Sequence, residues 1–462
     1  MSLLLTNNSP SIDTLSHLPP LPLVINYSGR ATMARKDEDN IQFGLRQHGR
    51  VRQVVLRAPS SSLRLWLGQM NQLFPRLGGL SLMSTSTEET NLVLPETFQA
   101  PDLRHLSLQG VGLPRGLPLL FSATALSTLF LTDIQAFCYF PPGHLVTQVQ
   151  GLPRLEELSI GFAIPIPLPN AERELLSPLV PPVTLPNLRR LTFRGVGVYL
   201  NNLIAQINTP LLEILNLILL FELTFTLVNL TAFFHRTEGF RCLVSRVIFN
   251  KDGVSIDAGY YEQQGTRKLN LRVNCEPLDW QIDSATQVCS ALGEVLSTVE
   301  ELTLNLDTYG MPSDWEGTLD SIMWHELLLQ FIRVKKLHVG SSLTLELSRA
   351  LQSGAGGLFL PELQELEVSL KIDHATTVLT IFLETRESEG RPVHLLVPPG
   401  DEVENISARC LQNTLAERRS RRRELEYQRG LEDAIDAARE EKERWQARAL
   451  ALEELLRDLG QN

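Results

Sequence analysis

The most regular pattern in this chain is an apolar repeat of the form L-x-x-L-x-L, whose last four positions alternate apolar with polar residues. Clear copies are LRHLSL (103–108), LEELSI (155–160) and LRRLTF (188–193). Twelve copies start between Val51 and Leu363, 22 to 35 residues apart and about 28 on average. Alternation of this kind is typical of a strand with one buried face. Each copy therefore predicts one short strand.

Short strands at this spacing predict a repeat fold. One strand cannot bury its apolar face alone, but stacked in register with its neighbours it joins a parallel sheet, and the intervals leave room for the crossovers. Prolines stand just before many copies, as in APDLRHL and LPNLRRL, where they fix the chain before the strand begins. We predict an α/β fold: an irregular leucine-rich-repeat-like solenoid, with a curved parallel sheet and helices on its convex side, followed by a long C-terminal α-helix.

The composition changes after Pro398-Pro399-Gly400, and residues 408–462 contain no proline. Apolar residues at a 3-4 spacing predict an amphipathic helix there. Its seam consists of Leu431, Ile435, Ala438, Trp445, Leu452, Leu456 and Leu459. Two interpretations stay open: a coiled coil that self-associates or pairs with a partner, and a solvated helix packed on the last repeats.

These patterns divide the chain into four parts. They are an N-terminal segment that is partly irregular or capping (1–50), the leucine-rich-repeat-like solenoid (51–397), a Pro/Gly linker (398–407) and the charged amphipathic helix, a possible coiled coil (408–462).

Charge and hydropathy exclude two classes of partner. The formal net charge of −11 argues against a nucleic-acid binder, because phosphate contacts need a basic face. The most apolar window, Leu211–Phe234, contains Glu213 and Glu222, which are costly inside a bilayer. The start of the chain has no basic, apolar signal sequence. We expect a cytoplasmic or nuclear protein that binds neither nucleic acid nor membrane.

Catalytic and metal-binding patterns are absent from the sequence. The five cysteines are odd in number and irregularly spaced, which predicts reduced, mostly buried thiols rather than a disulfide framework or a zinc site. His325-Glu326 begins a zinc-protease motif, but Leu329 stands where its second histidine belongs. Phosphate-loop and serine-nucleophile motifs do not occur. We therefore predict a protein that is not an enzyme and has no cofactor or metal.

Alternation along the strands also predicts a binding surface. If the leucines point into the core, the polar residues between them point to the concave face of the solenoid. The predicted partner-binding residues are His105, Ser107, Gln109, Glu157, Arg190, Arg194, Glu301, Asn305, Lys336, His338, Glu365 and Glu367. Their charge is basic near 190–194 and acidic near 365–367.

Several segments resemble the leucine-rich-repeat region of fungal F-box-like proteins, namely LPPLPLVINYSG (18–29), HGRVRQVVL (48–56) and LPRLEELSIGF (152–162). The resemblance covers about residues 15–397. It implies the substrate-recognition part of a ubiquitin-ligase receptor, with a ubiquitination substrate as its partner. No F-box motif is visible in the chain, so a cullin-ligase adaptor is implied only if an F-box exists outside it.

The function predicted from these observations is a non-enzymatic scaffold for protein–protein interaction. The alternative is an assembly protein that oligomerises through its C-terminal helix. The partners are other proteins in the first case and further copies of the chain in the second.

Overall fold

The computed structural model describes residues 2–7, 9, 21–28, 34–86, 91–114, 118–164, 182–220, 227–237, 242–259, 267–275, 278–307, 321–353, 360–368 and 372–396. These residues form a mixed α/β fold with a large, mostly parallel sheet and helices packed on it. The predicted linker and the predicted C-terminal helix, with all seven residues of its seam, lie outside the described residues.

The strands are β1 (Leu3–Leu5), β2 (Leu23–Ser28), β3 (Val51–Ala58), β4 (Gly79–Ser84), β5 (His105–Gln109), β6 (Thr128–Ile134), β7 (Glu157–Phe162), β8 (Val183–Thr184), β9 (Arg190–Gly195), β10 (Ile207–Asn208), β11 (Ile214–Leu220), β12 (Val244–Asn250), β13 (Gly253–Gly259), β14 (Lys268–Asn274), β15 (Glu301–Leu306), β16 (Lys336–Val339), β17 (Glu365–Val368) and β18 (His394–Leu396).

The α-helices are α1 (Arg35–Arg46), α2 (Ser60–Leu67), α3 (Pro118–Ser122), α4 (Pro142–Val149), α5 (Gly197–Ala205), α6 (Val228–Arg236), α7 (Leu278–Ala291), α8 (Gly293–Leu296), α9 (Ser321–Leu328), α10 (Ser341–Ser353) and α11 (Ile372–Ser388). A 3-10 turn covers Ala136–Cys138.

All twelve apolar motifs contain a strand of the large sheet. In most copies the strand begins two residues after the first leucine, because that leucine is buried in the turn before the strand, as Leu103 and Leu188 are. The predicted α/β class and the predicted parallel pairing along most of the sheet are confirmed. The sheet also contains β1, β2 and β18, so it begins inside the segment 1–50 that was predicted to be partly irregular or capping.

The core lies between the helices and one face of the sheet. In β5, for example, Leu106 and Leu108 are completely buried while His105 is exposed. Helix α5 packs on β9, and Tyr199 of that helix stacks on Phe193 at 5.6 Å between ring centroids. This contact buries aromatic surface under β9 and holds the strand that carries Arg190 and Arg194.

One part of the sheet departs from the predicted stacking order. Strand β11 pairs with β14 rather than with β12, and β12 pairs with β15. Between them β13 runs antiparallel to both β12 and β14. The expectation of a parallel sheet stacked in chain order is therefore wrong for this segment. Strands β12, β13 and β14 thus form an antiparallel meander, and its outer strands, β12 and β14, still run parallel to the rest of the sheet.

A tight turn between β12 and β13 explains the reversal. The Asn250 Oδ1 atom accepts a hydrogen bond from the backbone N–H of Asp252 at 3.0 Å, an arrangement that mimics a backbone turn. Gly253 follows with φ of +151°, a backbone conformation that residues with a side chain rarely adopt. A Cβ atom on this residue would lie 1.9 Å from the carbonyl oxygen of Val273. The close pairing of β13 with β14 thus depends on glycine at this position.

Candidate functional site: the polar face of the sheet

The side chains that alternate with the buried ones form a second face of the sheet, which we call the polar face. Parallel register places equivalent positions of neighbouring strands side by side, so the polar face consists of rows. Across β7, β9, β11 and β14 the first row is Glu157, Arg190, Ile214 and Lys268. The middle row is Ser159, Thr192, Asn216 and Asn270. The third row is Gly161, Arg194, Ile218 and Arg272.

All twelve residues predicted to bind a partner lie on the polar face, exposed or half-exposed. They come from six strands: β5 carries His105, Ser107 and Gln109, β7 carries Glu157, β9 carries Arg190 and Arg194, β15 carries Glu301 and Asn305, β16 carries Lys336 and His338, and β17 carries Glu365 and Glu367. Their role in binding stays a prediction.

Many of these residues pair with one another across neighbouring strands. Arg190 forms an ion pair with Glu157. Lys336 Nζ lies 3.1 Å from a carboxylate oxygen of Glu365, and the hydrogen bond and the charge of Glu365 raise the pKa of Lys336. In the next row His338 Nδ1 lies 3.4 Å from a carboxylate oxygen of Glu367. The sequence did not indicate this pairing, because it depends on register between strands that are about 30 residues apart in the chain.

Asp133 is a member of the polar face that the sequence analysis missed. Its carboxylate accepts hydrogen bonds from Gln109 Nε2 at 2.8 Å and from Arg194 Nη1 at 3.1 Å. It has a φ of +53°, in the left-handed region that aspartate tolerates better than most residues. The pairing of β6 with β7 shifts register between Leu131 and Ile134, and this irregularity displaces Asp133 from the alternation that identified the other residues.

Arg194 reaches Asp133 across Gly161 of β7. Arg194 lies on β9 and Asp133 on β6, with β7 between them, and Gly161 is the β7 residue that pairs with Arg194. A Cβ atom at position 161 would lie 3.5 Å from the Cβ of Arg194, so a larger side chain would occupy the space that the arginine crosses. The ion pair between Arg194 and Asp133 therefore joins β9 to β6 across β7.

The middle row forms a hydrogen-bonded ladder. Asn270 Nδ2 donates to Asn216 Oδ1 at 2.6 Å, and Asn216 Nδ2 donates to Thr192 Oγ1 at 3.3 Å. The next two positions are Asp257 on β13 and Arg246 on β12. Burial raises the pKa of Asp257, and the charge of Arg246 partly offsets this effect. From β7 to β12 the middle row therefore covers six strands, with two hydroxyl groups, two amides, one carboxyl group and one guanidinium.

A separate open groove of about 680 Å³ lies among α6, α7 and the end of α9. Its lining includes Val228, Thr286, Gln287 and Leu329. Helix α7 packs on β13 and β14, and α6 and α9 pack on α7, so the groove belongs to the helical layer and not to the polar face.

Cys242 and Cys289 are buried, and burial raises the pKa of the Cys242 thiol to about 12 and that of the Cys138 thiol to about 11. The four described cysteines are free thiols, two of them buried, and Cys410 lies outside the described residues. Within the described ranges no group of three His, Cys, Asp or Glu residues could hold a metal ion. None of the described helices is long and apolar enough to cross a membrane.

We compared the chain with protein-family models, with curated proteins and with solved structures, and none of the three comparisons found a match.

Proposed function

We propose that this protein is a non-enzymatic interaction scaffold, and that the polar face of its sheet binds a protein partner. The observation that carries the proposal is the set of aligned, exposed rows of mixed charge on neighbouring strands. A face of this kind can match a partner of complementary charge at many points at once.

The side chains on the polar face are already held in place, which favours binding. Ion pairs such as Arg190–Glu157 and Arg194–Asp133, and the Asn270–Asn216 hydrogen bond, fix side chains that would otherwise lose rotamer freedom when a partner binds. Ordering one such side chain at an interface costs about 0.5–1.5 kcal/mol, so a surface that is ordered beforehand binds at a lower entropic cost.

We also propose that the sheet and its helices form an irregular leucine-rich-repeat-like solenoid. Twelve recurring motifs, strands β1 to β7 and β15 to β18 in chain order, and helices between many of them support this architecture. By resemblance to fungal F-box-like proteins, the partner would be a ubiquitination substrate. The expected compartment is the cytoplasm or the nucleus.

Charge reversal on the polar face tests the proposal. The tagged full-length protein, the variant Arg190→Glu/Arg194→Glu and the control variant Arg64→Glu/Arg333→Glu are used to capture proteins from extracts of the native cells. Arg64 and Arg333 are exposed and lie outside the sheet, so the control changes the net charge equally. We expect the wild type and the control to recover the same protein and the polar-face variant to lose it. All three should remain folded by circular dichroism, although the polar-face variant should unfold at a somewhat lower temperature because it loses two ion pairs.

Equal recovery by all three proteins would overturn the proposal for the polar face. Cullin-ligase subunits in the recovered complex would support the ubiquitin-ligase class, and their consistent absence would remove that class while leaving the scaffold proposal in place.

A further inference from the structure

We infer that the centre of the polar face is a docking site for an acidic segment of a partner protein, one that also presents apolar side chains. This inference rests on the proposed function and specifies the partner's chemistry. The site is the basic patch, which we define as Arg190 and Arg194 on β9 together with Lys268 and Arg272 on β14.

The sheet register places the four cations at the corners of a rectangle. Ile214 on β11 pairs with both Arg190 and Lys268, and Ile218 pairs with both Arg194 and Arg272. Four residues along a strand span about 13 Å, and two strand spacings span about 10 Å. The two isoleucines lie half-exposed between the cations, at the midpoints of the short sides.

The reversed meander creates this arrangement. Lys268 and Arg272 flank the isoleucines because β14, and not β12, pairs with β11. In a sheet stacked in chain order, β12 would lie there and would present Val244 and Ile248 at the equivalent positions. The patch is therefore a property of the fold that the order of motifs in the sequence does not indicate.

The basic patch brings four cationic side chains together in a chain whose formal net charge is −11. On β9, β11 and β14 no residue of the polar face is acidic, and the carboxylates that pair with these cations lie at the margins. Glu157 and Asp133 contact the arginines from the β7 side, and Asp252 lies 3.6 Å from Arg272 in the β12–β13 turn.

Lys268 is exposed and forms no ion pair with any described residue. Its ammonium is therefore open to a carboxylate of a partner. An acidic segment with aliphatic or aromatic side chains would satisfy both Lys268 and the isoleucines and could share the three arginines with their carboxylates. A basic segment would instead be repelled by Lys268.

Selection from a displayed library of short random peptides, carried out on the full-length protein, tests the inference. Recovered peptides are then measured by fluorescence anisotropy against the wild type, Lys268→Glu/Arg272→Glu and the control Arg64→Glu/Arg333→Glu. We expect peptides rich in Asp and Glu with apolar residues between them. Their affinity should fall about tenfold or more in the patch variant, stay unchanged in the control and decrease with added salt.

A second variant tests the same site in case Lys268→Glu/Arg272→Glu does not fold. Ile214→Thr/Ile218→Thr retains β-branched side chains in β11 but removes apolar surface, so it should also weaken the peptides without loss of the sheet. Circular dichroism and thermal unfolding of every variant show that a loss of affinity is not a loss of fold.

The outcomes separate this inference from the proposed function. If the peptides bind both patch variants with unchanged affinity but bind Lys336→Glu/His338→Glu more weakly, the inference about the basic patch is wrong and the polar face remains the proposed binding surface. Peptides insensitive to every polar-face change would overturn both. Binding of a single-stranded oligonucleotide at the patch, with no acidic peptide recovered, would also overturn the inference.

Discussion

Replacing Gly253 with alanine tests the strand order that builds the basic patch. Gly253 begins β13, pairs with Asn274 of β14 and has a φ of +151°. A Cβ atom there would lie 1.9 Å from the carbonyl oxygen and 2.9 Å from the carbonyl carbon of Val273. These neighbours are backbone atoms, so the clash can be relieved only if one strand moves away from the other.

The expected cost follows from two effects. An alanine held in a sparsely populated backbone region costs about 1–3 kcal/mol. Forcing an extra methyl group into a closely packed position costs about 1–3 kcal/mol more. Together they lower the free energy that holds β13 on β14 by about 4 kcal/mol, which corresponds to roughly a thousandfold change in the equilibrium between the closed and opened pair.

Hydrogen exchange measured by mass spectrometry reports this opening locally. Peptides that cover 253–259 and 268–274 should exchange much faster in Gly253→Ala, while those covering β4 to β7 should change little. The matched control is Gly293→Ala, because a Cβ atom there meets nothing within 4 Å and Gly293 lies in helix α8. Unchanged exchange in Gly253→Ala would show that the described turn and strand order are wrong.

Three further predictions concern side chains of the sheet and core. Burial raises the pKa of Asp257 above its ordinary 3.8. The folded protein should therefore be most stable below pH 3.8 as far as this group is concerned, and should lose that stability as the pH rises through the raised pKa. Asp257→Asn should lose less stability between acid and neutral pH than the wild type, and an equal change in the urea midpoints of the two proteins would contradict the prediction. Cys242 and Cys289 should stay unmodified by iodoacetamide until the protein is denatured, because burial raises the pKa of both thiols, and mass spectrometry of the native protein would reveal any early adduct. A double-mutant cycle of Arg194→Met and Asp133→Asn should give a coupling energy of about 0.2–1 kcal/mol, since both side chains are partly exposed, and zero coupling in thermal or urea unfolding would exclude the pair.

Most strands of the sheet could be predicted from local pattern. The motif LRHLSL predicts β5 and the motif LRRLTF predicts β9, because apolar residues that alternate with polar ones are typical of a half-buried strand. The same alternation correctly placed residues such as His105 and Lys336 on one face of the sheet.

The missing strands and contacts depend on information that local pattern does not contain. Strand β13 carries no L-x-x-L-x-L motif, although Asn250 and Gly253 are residues typical of a tight turn and indicate the hairpin. The pairing of β11 with β14 joins positions 54 residues apart, such as Asn216 and Asn270, and register at that distance is set by the whole sheet. Lys268 holds the same position in its motif as Lys336, so alternation indicates which face it lies on, but its place beside Ile214 follows only from this long-range pairing.

Site-specific photo-cross-linking tests the central claim, that the polar face binds a protein, most directly. A photoreactive amino acid is placed in full-length protein either at Lys268, exposed on the polar face, or at Leu65, which is 61% exposed on helix α2. After irradiation in native cells, the protein with the group at position 268 should form a discrete adduct with one partner, and the protein with the group at position 65 should not. An adduct from position 65 alone, or the same adducts from both positions, would contradict the proposed binding face.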